Sequence, residues 1–397
     1  MKKIIFIVID GIGDRPIAKL NNLTPLESAY TPNMDFLAKN GICGIMNVLK
    51  EGIAPHSDEG HLTLFGYDLK KYYHGRGPLE ALGLGLKLNQ GDVALRANLG
   101  TVDKNLIVKD RRAGRIETTG PFVKLFNGIK IENVKFMLKA GTSHRAVVVM
   151  RGNGLSDKIS GSDPRQEEKK VLRIRALDNS REAKFTAFVL NKFLELSYKK
   201  FQNLSLNEKR IKEGKLPGNY WLVRGAGHYK KIPSFKEMYN RKACCIAGGG
   251  LYKGLGAIAG MKVLNVKGAT GTPNTNIKAK FLAAKKNLKK YDFVFVHIKG
   301  TDVFGHDNNP EGKKQFIEKI DKELPVIMND VLITITADHS TPCENKDHSA
   351  DPVPVLIYSK NIKPDSIEKF GESYCKKGSL GIIQGKDYMK KVISLAK

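Results

Sequence analysis

The chain has 397 residues, 41% hydrophobic and 27% charged, an ordinary composition for a globular protein large enough for about two domains. No run approaches the length of a transmembrane span, and five cysteines without a CxxC pair exclude a disulfide framework and a zinc knuckle, which fits a reducing cytoplasm. The formal net charge of +27 raises nucleic-acid binding, but the lysines are scattered, with no aromatic-basic interleaving, so a solvated basic surface that favours anionic substrates is the better account.

The opening MKKIIFIVIDG is too short in its apolar run for a signal peptide and lacks a small-residue cleavage site. It reads as a first strand, Ile4 to Ile9, ending at Asp10, with Gly11 and Gly13 allowing a tight turn that leaves the carboxylate facing a ligand. TPNMDFLAKNG follows as a helix with Thr31 as N-cap, Pro32 in its first turn and Gly41 at its end.

In APHSDEGHLTLFGYD, Ser57 stands where an apolar pattern begins, so it belongs at a helix start. A plain N-cap would explain it. The same position sets the hydroxyl at the positive end of a helix dipole, where an added phosphate is stabilised, and this makes Ser57 a candidate nucleophile. His61 reads as a support for that helix.

Arginine recurs from Arg76 to Arg241 and is absent afterwards, although lysine stays abundant. A guanidinium grips carboxylate and phosphate in bidentate fashion, so the middle of the chain is equipped to hold a small anion. NLGTV, AVVVMRG and YWLVRG read as strands there, and SREAKFTAFVLNKFLELSYKKF as a long amphipathic helix. AGGGLYKGLGAIAG has the wrong glycine spacing for a dinucleotide loop, which excludes NAD.

Two late apolar runs, FVFVHIKG and VLITITADHS, end in Asp302, His306, Asp338 and His339, with His348 soon after. Singly, such an Asp caps a turn and such a His packs. Five together, at the carboxyl ends of buried parallel strands, read as a metal centre in the crevice where open α/β sheets bind ligands. Asp302 and His306 share one face of a helical turn, and the mixture of carboxylate and imidazole suits Mn or Zn better than Ca.

VIDGIGDRP, SDEGHLTLFGYD, YYHGRGPLEA, DRRAGRI, GATGTPNTN, HIKGTDVFGHD, TADHSTP and KDHSADPVPVLI occur in that order. Across nearly its whole length the chain thereby resembles the archaeal-type cofactor-independent phosphoglycerate mutases of the alkaline phosphatase superfamily. The resemblance implies an alkaline-phosphatase-like α/β fold, with a mostly parallel sheet flanked by helices and an inserted smaller α/β domain. We place the metal-binding domain at residues 1–85 and 233–397 and the insert at 86–232, as a cover that excludes water.

The resemblance also implies one ion on Asp10, Ser57, Asp338 and His339, and another on Asp302, His306 and His348. Mn is the foremost choice, with Zn, Co and Mg as alternatives, and no 2,3-bisphosphoglycerate is needed. Ser57 would carry the phosphate as phosphoserine between 3-phosphoglycerate and 2-phosphoglycerate. Candidate substrate contacts are Arg96, Arg111, Arg112, Arg145, Arg151, Arg210 and Arg224, with Arg151 and Arg224 foremost, and His144 and Lys253 beside them. Asp157 and Asp163 are candidates for proton transfer. The family often shows Thr-Asp-Pro-His where this chain has Ser162, Asp163, Pro164 and Arg165, so no role is assigned to Arg165. A phosphatase or phosphodiesterase of the same superfamily is the alternative, set back by YYHGRGPLEA and DRRAGRI; a basic nucleic-acid-associated protein with a relic site is a more distant one. A cytoplasmic enzyme without membrane or specific nucleic-acid partners is expected, and oligomeric state is left open.

Overall fold

The structure, a computed structural model, describes residues 1–397. They form two compact units, Met1–Tyr73 together with Ile232–Lys397, and His74–Lys231. The chain starts with β1 (Ile4–Ile9) and β2 (Ile42–Asn47), and then lays down β3 (Val93–Val102), β4 (Val108–Asp110), β5 (Lys130–Ile131), β6 (Val134–Ala140), β7 (Arg145–Arg151) and β8 (Tyr220–His228) in the second unit. It returns to the first with β9 (Ala243–Ile246), β10 (Lys262–Val263), β11 (Phe293–Ile298), β12 (Leu332–Thr336), β13 (Val353–Tyr358) and β14 (Gly381–Gln384).

The first unit is built on an eight-stranded sheet in the order β10-β9-β11-β1-β12-β13-β2-β14. β1 lies parallel between β11 and β12, and only β13 runs against the rest. Every residue of β1, β11 and β12 is buried, which is why β1 reads as an unbroken Ile, Val and Phe run, while β11 adds only His297 to such a run and β12 intersperses Thr334 and Thr336. Phe6 packs among Phe65, Phe293, Phe295 and Tyr388 at ring distances of 5.6–6.4 Å, tying two neighbouring strands to two helices. Because β1, β11 and β12 are parallel neighbours, their carboxyl ends deliver Asp10, the Lys299–Asp302 turn and Asp338–His339 to one edge.

The second unit has a wholly antiparallel six-stranded sheet, with β3 between β7 and β8. The helix Arg181–Gln202 buries Val189, Leu190, Phe193 and Phe201 in its core, and Phe193 stacks on Phe136 at 4.4 Å. This unit begins at His74 rather than at the expected Leu86, because the helix Arg76–Gly83 packs on β3 and β8. The glycine-rich stretch GLGLKL at residues 83–88, which spans the expected boundary, is therefore internal to it.

Helix Pro32–Lys39 has the expected start at Thr31, whose side chain caps no backbone N–H. No helix is long and apolar enough to cross a membrane.

Candidate metal centre

Ser57 is the first residue of the helix Ser57–Leu64, with His56 in the N-cap position. Its hydroxyl is therefore not consumed as a cap, and lies 3.2 Å from His339 Nε2. His61, one turn on, donates Nδ1–H to the Ser57 carbonyl at 2.7 Å and approaches Asp338 Oδ2 at 3.2 Å. Gly60 lets this helix sit directly against the end of β12, since a Cβ there would collide with the Asp338 carbonyl oxygen.

Two clusters of ligand-type atoms stand at the sheet edge. Asp10, Asp338 and His339 form one, fully buried; Asp302, His306 and His348 form the other, graded from buried to exposed, and within each the atoms lie within 4.8 Å of one another. In the first, His339 Nε2 stands 3.4 Å from Asp10 Oδ1 and 3.3 Å from Asp338 Oδ2. In the second, His306 Nε2 and His348 Nε2 are each 3.4 Å from Asp302 Oδ1. Asp302 and His306 sit on the short helix Gly300–His306, with the expected i,i+4 spacing.

Charge explains the protonation pattern. Burial opposes ionisation of Asp302, but hydrogen bonds from His306 and His348 and the charge of Lys299 hold its carboxyl well below the usual range. The Asp302 hydrogen bond pushes His306 up to about 9. Burial pushes His297 down to about 4, so its imidazole is neutral; the Asp10 carboxylate can only accept, so Nε2–H donates to Asp10 Oδ2 at 2.9 Å. Thr341 donates its hydroxyl to Asp302 Oδ1 at 3.0 Å, so its oxygen accepts from His339 Nδ1–H at 3.0 Å, which leaves His339 Nε2 turned toward Asp10, Asp338 and Ser57.

The donor set fits a divalent cation. Asp10 Oδ1 and both Asp338 carboxylate oxygens are buried without any hydrogen-bond partner. Orphaned carboxylate oxygens in an interior are costly unless a cation or donor faces them. Oxygen and imidazole nitrogen together are the chemistry of borderline metals.

Three residues at this edge carry no signal of their own in the sequence. Lys299 Nζ bridges Asp302 at 2.7 Å and Asp10 at 3.2 Å. His297 orients Asp10, and Tyr252 stacks on His297 at 3.5 Å. The lysine beside the carboxylates is thus Lys299, whereas Lys253, on the helix Gly250–Ile258, makes no ion pair or hydrogen bond with any of them.

In the second unit, Arg96 on β3, Arg145 on β7 and Arg224 on β8 come together through strand pairing, since Arg96 is opposite Arg224 and Asn98 opposite Arg145. Burial and the neighbouring charges of Arg76, Arg224 and Arg145 push Arg96 down to about 10, a sign of crowded cations. His144 is pushed down to about 4 by burial and by Arg145 and Arg112, so it is neutral near pH 7. Arg112 and Arg145 have no carboxylate partner.

Other expected contacts are committed elsewhere. Arg151 makes a bidentate pair with Asp92 at 2.9 and 2.6 Å and donates to the Lys87 carbonyl, which removes it from the cluster. Arg210 donates to the carbonyls of Leu216 and Ala113. Asp163 is gripped by Arg111 at 3.1 and 2.7 Å, with Arg224 at 3.5 Å; burial opposes its charge, but Arg111 holds it below the usual carboxylate range, which makes it a poor proton acceptor. Asp157 has no such partner and lies close enough to His74 to bear on its charge.

Residues 2–394 match the metalloenzyme superfamily. A 2,3-bisphosphoglycerate-independent phosphoglycerate mutase of Methanocaldococcus jannaschii is 48% identical, over 99% of this chain and 97% of that one. One from Methanococcus aeolicus is 46% identical, over 100% of this chain and 98% of that one. Among solved structures, a protein from Pyrococcus horikoshii superposes with a TM-score of 0.85 at 38% identity, covering 100% of this chain and 97% of that one. The cofactor-independent phosphoglycerate mutase of Thermoplasma acidophilum gives 0.75 at 37% identity, with both chains fully covered. The chain belongs to the metalloenzyme superfamily, within the family of 2,3-bisphosphoglycerate-independent phosphoglycerate mutases.

Proposed function

We propose that the protein interconverts 3-phosphoglycerate and 2-phosphoglycerate without 2,3-bisphosphoglycerate, by moving the phosphoryl group onto Ser57 Oγ and back to the other glycerate hydroxyl. The observation that carries this is the free Ser57 hydroxyl at a helix start, 3.2 Å from His339 and beside two carboxylate–imidazole clusters.

Asp10, Ser57, Asp338 and His339 would hold one divalent ion and Asp302, His306 and His348 a second, Mn foremost with Zn, Co or Mg as alternatives; such ions neutralise phosphoryl oxygens and lower the pKa of a serine hydroxyl. Ser57 Oγ, as the alkoxide that such an ion would stabilise, attacks phosphorus as the bond to the first glycerate oxygen breaks, and it is released as the same alkoxide when the phosphoryl group returns to the glycerate. The phosphoserine gains from the N–H groups and dipole of its own helix start. The Lys299 ammonium keeps Asp10 and Asp302 ionised despite their burial.

The leaving glycerate oxygen must gain a proton and the other hydroxyl must lose one, so a single group that gives and retakes a proton suffices. Asp157 and the neutral His144 are suited to this, and Asp163 is not. We assign retention of the glycerate to Arg96, Arg145 and Arg224, whose repulsion at Arg96 an anion would relieve, with Arg112 joining Arg145 beside His144. Retention separates a mutase from a hydrolase, because phosphoserine exposed to water would simply release phosphate.

The test is to supply 3-phosphoglycerate carrying a labelled phosphoryl group to metal-loaded protein, quench it with acid and map the label. Label on the Ser57 peptide supports the route; 2-phosphoglycerate formed while Ser57 never carries label contradicts it.

A further inference from the structure

Lys313, on the helix Pro310–Glu323, and Asp14 form an ion pair of 2.8 Å with both side chains sealed from solvent. The proposed reaction uses neither. An ammonium has three donors, and here all are taken: Asp14 Oδ2, the Gly13 carbonyl at 3.1 Å and the Thr341 carbonyl at 3.0 Å. Asp14 in turn accepts from the backbone N–H of Cys343, 3.2 Å from each oxygen, and of Arg15 at 2.8 Å. The pair thus stitches the turn that follows Asp10 to the loop that follows His339.

That loop is where the orientation of the centre is decided. Thr341, whose carbonyl Lys313 holds, is the residue whose hydroxyl contacts both Asp302 and His339. The Thr341 N–H donates to the Gly13 carbonyl, and Ser340 bridges to Ile12 and Gly13, so the two segments lie side by side over several residues. A buried ion pair is a weak source of stability, because desolvation consumes most of its attraction. What it does fix is the distance between the groups it joins.

We propose that Lys313 and Asp14 are positioning residues that set the spacing between Asp10 and the Asp338–His339–Thr341 loop, and so set the affinity for divalent metal. This rests on the metal assignment above.

The experiment titrates metal-stripped, folded protein with Mn, reading free Mn by electron paramagnetic resonance, for the wild type, Lys313→Met, Asp14→Asn and the ligand control Asp302→Asn. Circular dichroism confirms folding at the temperature used. Lys313→Met, which keeps the stem and removes the donors, is expected to bind Mn about 10–100-fold more weakly. Asp14→Asn, which keeps the shape, should weaken binding in the same direction, and decides the matter if Lys313→Met does not fold. A role in packing alone would lower the melting temperature and leave the Mn affinity of folded protein unmoved. Wild-type affinity in the folded brace variants, with Asp302→Asn weakened, overturns the brace and leaves the metal assignment standing. No Mn binding by the wild type, or unaltered binding by Asp302→Asn, overturns both.

Discussion

Ser57 Oγ stands 3.2 Å from His339 Nε2, while the carbonyl of the same serine accepts from His61 Nδ1 at 2.7 Å. The residue is held through its backbone, and its hydroxyl is left for chemistry. Ser57→Ala should therefore remove activity by more than about 10³-fold in kcat, the scale of losing a nucleophile. Because the side chain caps no N–H, stability should change by less than about 0.5 kcal/mol. Kinetics and a thermal melt on one preparation check both, and a large stability loss would mean that Ser57 is structural.

Lys299 lies between two carboxylates that would otherwise repel each other. Lys299→Met should destabilise metal-free protein by roughly 3–5 kcal/mol, the cost of stripping a buried charge of its partner. Saturating divalent metal should recover much of this, since binding to the folded state alone adds stability by mass action. Melting curves with and without metal test it. An equal loss in both would show that Lys299 does not balance the charge of the metal-binding carboxylates.

Glu372 gives a pH dependence. Its carboxyl points inward, accepting from Asp14 N–H at 3.0 Å and Thr24 Oγ1 at 2.7 Å, and burial raises it from 4.5 to about 7. Between those values the folded state binds more protons than the unfolded one. This contribution to stability is full below 4.5 and is lost as pH rises through about 7, on the order of 3 kcal/mol. Glu372→Gln, which mimics the protonated form, should flatten this part of the stability profile, matching the wild type near pH 5 and exceeding it near pH 8. Parallel profiles for the two proteins would refute the shift.

Arg145 and Arg151 occupy opposite ends of β7 and should behave differently. Arg145→Ala, which breaks no ion pair, should raise KM about tenfold or more and increase phosphate release, with little effect on stability. Arg151→Ala, which leaves the buried Asp92 carboxylate without its cation, should cost about 1–3 kcal/mol of stability and leave KM near wild type. A rise in KM for Arg151→Ala would return that residue to the substrate site.

The strands that carry Asp10, Asp302 and Asp338 were legible because buried parallel strands are continuous β-branched and aromatic runs, and each ended in a residue with no place in a core. Ser57 was legible as a helix start, though not as the first residue inside the helix. Lys299 and Lys313 were not, because in a chain with so many solvated lysines, burial of an ammonium depends on carboxylates supplied from other segments, Asp10 and Asp14. The partner of Arg151 was hidden for the same reason: a strand-end arginine before glycine reads as an anion clamp, and its pairing with Asp92, distant in sequence, has no local signal. The start of the second unit was misplaced because the amphipathic helix Arg76–Gly83 does not announce which sheet it will cover.

The most direct test of the central claim is an assay of metal-stripped protein resupplied with Mn, given 3-phosphoglycerate without 2,3-bisphosphoglycerate, and read in parallel for 2-phosphoglycerate and free phosphate. The account predicts 2-phosphoglycerate with little free phosphate in the wild type and neither in Ser57→Ala. Free phosphate without 2-phosphoglycerate in the wild type would contradict it, and would make the protein a hydrolase that fails to keep its glycerate.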